Sequence, residues 1–222
     1  MAVSAGGVIR AGFPVTMTLS GTSKIPSPAL ADMDGDGYLD IVQACTNGVI
    51  NVVSRLGALL APWSGARYSA LTSSTSESSP VVADLDGDGH PDVLMGEENG
   101  QLTAISGSDA SVLPGFPIQL AGEVKGTPAA CDCDGDGKTE IVVAGWDKNV
   151  YMWDYDFTFS PGQIPPWPQF HHDAARTGYA GTPLLVDVED EARSAPRMLE
   201  LALPAPNPAR GRALFSYGLP SG

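Results

Sequence analysis

One acidic motif occurs three times in register, and it limits what this chain can fold into more than any other feature. The copies are Ser27-Pro28-Ala29-Leu30-Ala31-Asp32-Met33-Asp34-Gly35-Asp36-Gly37-Tyr38-Leu39-Asp40, Ser79-Pro80-Val81-Val82-Ala83-Asp84-Leu85-Asp86-Gly87-Asp88-Gly89-His90-Pro91-Asp92 and Thr127-Pro128-Ala129-Ala130-Cys131-Asp132-Cys133-Asp134-Gly135-Asp136-Gly137-Lys138-Thr139-Glu140. Asp32 and Asp84 lie 52 residues apart, Asp84 and Asp132 lie 48 apart, and a proline stands four residues before each (Pro28, Pro80, Pro128). Self-similarity at such a period marks stacked structural units, each too small to bury a hydrophobic face alone.

Each unit reads as strands. A short apolar run enters the acidic loop (Ala29 to Ala31, Val81 to Ala83, Ala129 to Cys131), and a run such as Ile41-Val42 or Ile141-Val142-Val143 leaves it. A turn follows at Asn47-Gly48, Asn99-Gly100 and Asp147-Lys148-Asn149. Asn-Gly is a strong hairpin signal, because both turn residues must reach positive φ. A third strand comes next (Val49 to Val53, Gln101 to Ile105, Val150 to Trp153), and a fourth begins near Trp63, Gly115-Phe116-Pro117 and Trp167-Pro168. Four strands in ~50 residues predict an all-β fold of β-propeller-type blades. The blades are placed at about 25–70, 77–121 and 125–179; Gly12-Phe13-Pro14 resembles Gly115-Phe116-Pro117 and predicts an orphan outer strand at 10–20. Three blades are fewer than the ~4–8 of a closed ring. The expectation is a partial or open propeller, continuous with missing blades or domains of a longer parent.

The loops carry the chemistry. Positions 1, 3, 5 and 9 hold carboxylates: Asp32, Asp34, Asp36 and Asp40; Asp84, Asp86, Asp88 and Asp92; Asp132, Asp134, Asp136 and Glu140. By analogy with other calcium loops, position 7 offers its carbonyl, from Tyr38, His90 and Lys138. Hard oxygen donors on a flexible loop suit Ca²⁺, whereas Mg²⁺ demands a stricter octahedron. Zinc would want thiolates and imidazoles, which are not so arranged. An EF-hand needs a bidentate glutamate at position 12, but that position is Gln43, Met95 and Val143. Gly137-Lys138-Thr139 is no phosphate loop, since the first glycine of that motif would fall on Asp132.

Charge agrees with this reading and narrows the partners. The chain has 222 residues with 12 Lys+Arg against 26 Asp+Glu, a formal charge of −14, and the three loops hold 12 of those acids. There is no basic surplus to neutralise phosphates, so a sequence-independent nucleic-acid binder is excluded. No apolar run approaches the ~18 residues of a membrane-spanning helix. Residues 1–7 show no charged and apolar leader pattern, so no signal peptide is visible. Cys45, Cys131 and Cys133 are too few for a disulfide framework and read as small buried hydrophobes. A bridge from Cys45 to one of the others stays open. The Ser/Thr run from Thr72 to Ser79 reads as a flexible inter-blade loop.

The pattern S/T-P-x-x-x-D-x-D-G-D-G-x-x-D/E, followed by an apolar strand and Asn-Gly, resembles the FG-GAP/VCBS repeat family over about residues 10–179. The resemblance implies calcium-binding β-propeller blades like those of integrin α-subunit heads and many secreted bacterial proteins. It implies up to three Ca²⁺ ions, each pinning the turn between two inner strands. Sites of this kind in extracellular modules bind at ~10⁻⁴–10⁻³ M, useless in a calcium-poor cytosol, so an extracellular or cell-surface location is expected.

Past the repeats, Trp167-Pro168-Gln169-Phe170-His171-His172-Asp173 through Arg176-Thr177-Gly178 reads as closing or packing sequence. Neighbouring side chains on an extended segment point to opposite faces, so His171 and His172 would not share one site. No G-x-S-x-G, H-E-x-x-H or C-x-x-C motif occurs, so no catalytic residue is assigned. Residues 180–197 read as an acidic linker. Residues 198–222, with Pro206-Asn207-Pro208 before an alternating strand, resemble the start of a C-terminal Ig-like (FlgD-like) sorting domain. Both ends thus read as cut. The expected function is a non-catalytic binding, adhesion or scaffold module of a secreted or surface-attached bacterial protein, with an unknown protein or glycan as ligand. The alternatives are an accessory propeller of a secreted lyase or hydrolase, or a quinoprotein-like propeller.

Overall fold

The computed structural model is all-β and describes residues 7–16, 26–45, 48–63, 66–67, 76–133, 136, 138–158, 165–173, 176 and 178. The chain divides into two units, Met1–Val186 and Asp187–Gly222. The linker read at 180–197 and the sorting-domain start read at 198–222 lie outside the described residues.

Each repeat forms one antiparallel sheet. The first comprises β1 (Ala29–Ala31), β2 (Asp40–Cys45), β3 (Val49–Val53) and β4 (Ala66–Arg67), in that order. The second comprises β5 (Val81–Ala83), β6 (Asp92–Gly96), β7 (Gln101–Ile105) and β8 (Ile118–Gln119), again in order. The third has β9 (Ala129–Cys131), β10 (Lys138–Ala144) and β11 (Val150–Thr158). Three pairs close the acidic loops at the same register: Ala31 with Asp40, Ala83 with Asp92, Cys131 with Glu140. The sequence repeat is therefore a structural repeat through the first three strands of each unit.

Strand alternation then packs sheet on sheet. Val42, Ala44, Ile50 and Val52 of the first sheet share a buried cluster with Val82, Val93, Met95 and Ile105 of the second. The opposite face of the second sheet, with Leu94, Leu102 and Ala104, buries against Ala130, Ile141 and Val143, flanked by Tyr151 and Trp153. Each fully buried aliphatic side chain contributes about 1.5–3 kcal/mol, so these two seams hold the units together. The Ser/Thr before each proline adds a directional link. Ser27 N–H donates to Ser79 Oγ at 3.1 Å, and Ser79 N–H donates to Thr127 Oγ1 at 3.1 Å.

Several expectations are corrected. Trp167-Pro168 does not begin a fourth strand of the third sheet, which has three strands among the described residues. Trp167 instead pairs with Val82 on the free edge of β5 through N–H···O bonds of 2.9 and 3.0 Å, and Pro168 C=O accepts from Ala130 N–H. An inner edge strand offers unpaired backbone groups, and the indole fills the seam between the first two sheets, 5% exposed. The described part of the orphan strand is a turn, with Phe13 N–H on Arg10 C=O; its Gly12 lies so close to Leu56 C=O that a Cβ would sit 1.9 Å from that oxygen.

The serine run is not loose where it is described. Ser76 and Ser78 are fully buried, Ser76 Oγ donates to Gly96 C=O at 2.6 Å, and Ser78 Oγ accepts from Gly96 N–H. Hydroxyls thus satisfy backbone groups at the end of β6 that no strand reaches.

The cysteines also differ from expectation. Cys131 and Cys133 are disulfide-bonded, with Cα atoms 5.3 Å apart. Cys131 ends β9 and Cys133 lies beyond it, in the acidic loop. Only Cys45 is buried, and its Sγ accepts from Asn51 Nδ2 at 3.4 Å.

Candidate metal centre

A three-residue strand delivers each chain segment into its acidic loop, and glycines at positions 4 and 6 let the backbone curl back. Gly35, Gly37, Gly87 and Gly89 all have φ between 71° and 87°, a region in which a side chain would be strained. The curl is held by the carboxylates themselves. Asp36 N–H and Gly37 N–H donate to the two oxygens of Asp32 at 3.1 and 2.9 Å, and Tyr38 N–H donates to Asp36 Oδ1. In the second loop Gly87 N–H and Gly89 N–H donate to the two oxygens of Asp84 at 2.6 and 3.1 Å, and His90 N–H donates to Asp88 Oδ1. Lys138 N–H makes the matching bond to Asp136 Oδ1 in the third loop.

These turns bring oxygens together. One ligand oxygen from each of Asp32, Asp34 and Asp40 lies within 4.8 Å of the others, and the same holds for Asp84, Asp86 and Asp88. Asp34, Asp36 and Asp88 are exposed, Asp32, Asp84 and Asp86 are half-buried, and Asp40 and Asp92 are buried. Asp36 belongs to no such trio, and Asp92 stands apart from the second. In the third loop Asp132 and Asp136 are exposed, Lys138 is half-buried, Glu140 is fully buried, and Asp134 lies outside the described residues. The carbonyl role of Tyr38, His90 and Lys138 stays an expectation; what the geometry adds is their N–H bonds to position 5.

Position 9 has a task that spacing did not reveal. Met33 N–H donates to Asp40 Oδ2 at 2.9 Å, Leu85 N–H to Asp92 Oδ2 at 2.6 Å, and Cys133 N–H to Glu140 Oε2 at 2.5 Å. Each buried acid thus clamps the second residue of its loop. The other oxygen differs from loop to loop. Asp92 Oδ1 accepts Gly107 N–H at 2.8 Å. Glu140 Oε1 is buried and has no hydrogen-bond partner. Asp40 offers an oxygen to the cluster with Asp32 and Asp34. Burial drives the Asp40 pKa up to about 6, against the opposing Met33 N–H, with Asp34, Asp36 and Asp32 adding repulsion. Burial likewise pushes Asp92 up to about 7, opposed by Gly107 and Leu85 N–H and reinforced by Asp86 and Asp84. Carboxylates so placed favour a proton or a cation over bare charge.

Two neighbouring positions, which the motif does not include, set the difference. Gly107 approaches so closely that a Cβ there would stand 2.3 Å from Pro91 C=O. The equivalent position in the first repeat is Arg55, whose guanidinium lies over the Tyr38 ring at 3.9 Å. Glu97 was also not singled out: it is fully buried at the end of β6 and accepts from Thr103 Oγ1 at 2.6 Å. An acid directly after the apolar run Val93-Leu94-Met95-Gly96 was the available signal.

The histidine segment brings His172 Nδ1 to 3.7 Å from Asp173 Oδ2. It is not extended, since His171 and His172 have φ of 58° and 72°. His171 stacks on Phe170, and His172 meets the Trp167 edge.

Fold and loops together define a repeat module of propeller-type blades. Residues 78–107, which run from Ser78 through β5, the second loop, β6 and β7 to Gly107, match the family model of the FG-GAP repeat. No curated protein matches the chain.

Proposed function

We propose that this chain is a calcium-binding propeller module of an exported protein, and that it works by presenting a binding or scaffolding surface rather than by catalysis. The observation that carries the reading is the orphaned oxygen of Glu140. A fully buried carboxylate oxygen with no donor is costly, and a divalent cation held with Asp132, Asp134 and Asp136 would satisfy it. The trios Asp32, Asp34, Asp40 and Asp84, Asp86, Asp88 support the same reading at two further repeats. Oxygen-only donors suit hard cations, and a flexible loop rich in carboxylates favours Ca²⁺ over the strictly octahedral Mg²⁺. The ion would supply positive charge that holds the loop curl and so fixes the hairpin above it. The ligand of the module is a protein or a glycan. Affinity in the range expected for such loops works only where calcium is millimolar, which supports a location outside the cytosol.

Calorimetric titration with Ca²⁺ and thermal unfolding in 10 mM Ca²⁺ against chelator test this. The expected result is two to three ions per chain and a rise in Tm of about 10 °C or more, since ~10 mM ion at ~10⁻⁴ M affinity adds about 2.7 kcal/mol per site. Flat titrations with superimposable melts overturn it.

A further inference from the structure

The two seams inside this chain follow one rule. A β2–β3 face of the first sheet (Ile50, Val52) meets the second sheet, and the matching β6–β7 face of the second sheet (Leu102, Ala104) meets the third. All four side chains are 0% exposed. In the third sheet the equivalent residues are Val150 and Met152, and they are 72% and 57% exposed. The opposite face of the same strand, with Tyr151 and Trp153, is the one turned to the second sheet. Strand alternation requires Val150 and Met152 to face away from that seam.

We propose that this outer face of the third sheet is a docking surface for a further blade of the same repeat type, supplied by polypeptide other than these 222 residues. The argument is continuity with an established interface. Two successive sheets use this face, at these register positions, to seat the next sheet, and the third presents the same apolar pattern to solvent. Nonpolar side chains facing outward at neighbouring register positions, where every internal counterpart is buried, are the mark of an interaction surface. The partner is recognised by its own apolar sheet face, as Val82, Val93, Met95 and Ile105 are recognised by the first sheet. A second copy of the chain is disfavoured as the source. The opposite face of the first sheet, with Asn51 and Val53, is already 1–2% exposed, so it is not free for head-to-tail docking. This inference does not depend on the calcium reading.

The test uses oxidation of Met152 by hydrogen peroxide, read by mass spectrometry, with buried Met33 and Met95 (4% and 0% exposed) as internal references. The full chain is compared with two extended chains, carrying at the C-terminus through a flexible linker a duplicate of residues 77–124 or of residues 125–179. The expected result is rapid Met152 oxidation in the unextended chain and at least tenfold protection in an extended one, abolished by Val150→Asp. Failure of both duplicates to protect Met152 overturns the proposal. So does protection already present in the unextended chain: if it deepens with protein concentration, a second copy is the occupant, and if it does not, residues 179–222 are.

Discussion

The first and second acidic loops start from nearly the same residues and end with different chemistry. In both, position 1 holds the curl and position 9 clamps position 2. In the second loop, Gly107 N–H closes on the remaining oxygen of Asp92, and the oxygen trio is Asp84, Asp86 and Asp88. In the first loop, an arginine stands where Gly107 would be, and Asp40 joins the trio. One backbone donor therefore decides whether the buried acid is a structural clamp or a clamp and a ligand together. A motif of carboxylate spacings does not contain that donor, because it arrives from 15 residues beyond Asp92.

Removing the two acids separates these roles most sharply. Asp92→Ala leaves the buried N–H groups of Leu85 and Gly107 without partners, and each such orphan costs about 1–3 kcal/mol. Asp40→Ala orphans Met33 N–H alone. Urea unfolding in chelator is expected to place Asp92→Ala about 2–5 kcal/mol below the parent and Asp40→Ala about 1–3 below. Equal losses would mean that the Gly107 bond contributes nothing. Calcium should reverse the order. Asp40→Asn puts an amide into the first trio and is expected to lower the affinity of that site at least tenfold, removing one ion from the calorimetric count. Asp92→Asn should leave the count unchanged, because Asp92 contributes no oxygen to the second trio.

How much of this was legible beforehand depends on range. The bounds of β1, β5 and β9 were readable because a proline, three apolar residues and an aspartate fix them locally, and Ala29–Ala31, Val81–Ala83 and Ala129–Cys131 are the strands observed. The carboxylate spacings were readable, but not which oxygens lie within 4.8 Å of one another, a matter of how each loop curls. Trp167 was misplaced because its partner, Val82, lies far back in the chain, and edge pairing leaves no periodic signal around an isolated tryptophan. The Ser76 and Ser78 hydroxyls were misread for a related reason. Serine runs suit solvent loops on composition, but here Gly96 offers backbone groups with nothing else to bond them. The Cys131–Cys133 bridge was missed because the cysteines were weighed by number, whereas their closeness arises where β9 ends and the loop begins.

A second pair of equivalent positions sharpens the comparison at the hairpins. Position 45 is a cysteine accepting from Asn51 at 3.4 Å, while position 97 is a fully buried glutamate accepting from Thr103 at 2.6 Å. A carboxyl oxygen is a stronger hydrogen-bond acceptor than a thiol sulfur. Thr103→Val takes the short bond from Glu97 and leaves Asn99 Nδ2 at 3.4 Å, a poor replacement. Its expected cost is about 1–3 kcal/mol. Asn51→Leu takes only a weak sulfur acceptor's partner and should cost less than about 1 kcal/mol. Chemical denaturation of both variants in chelator measures the difference, and a larger loss for Asn51→Leu would place the stronger polar contact in the first repeat instead.

A last comparison concerns protons, and its sign separates these acids from ordinary ion-paired carboxylates. Asp92 and Asp40 have folded-state pKa values raised to about 7 and about 6 from an ordinary 3.8. Without metal, the folded chain binds protons at these sites that the unfolded chain has already released, so stability falls as pH rises between those limits. The contribution is fully present below the unfolded value, near pH 4, and is lost as pH climbs through about 6 at Asp40 and about 7 at Asp92. In chelator, the contribution of these two sites therefore makes unfolding free energy decline from pH 4 to pH 8. Asp92→Asn should flatten the upper part of that decline and Asp40→Asn the middle part. If unfolding free energies measured at pH 5, 6, 7 and 8 showed the Asp40 variant flattening the curve above pH 7, the two acids would have exchanged environments. The backbone donor from Gly107 would then not be what distinguishes the loops.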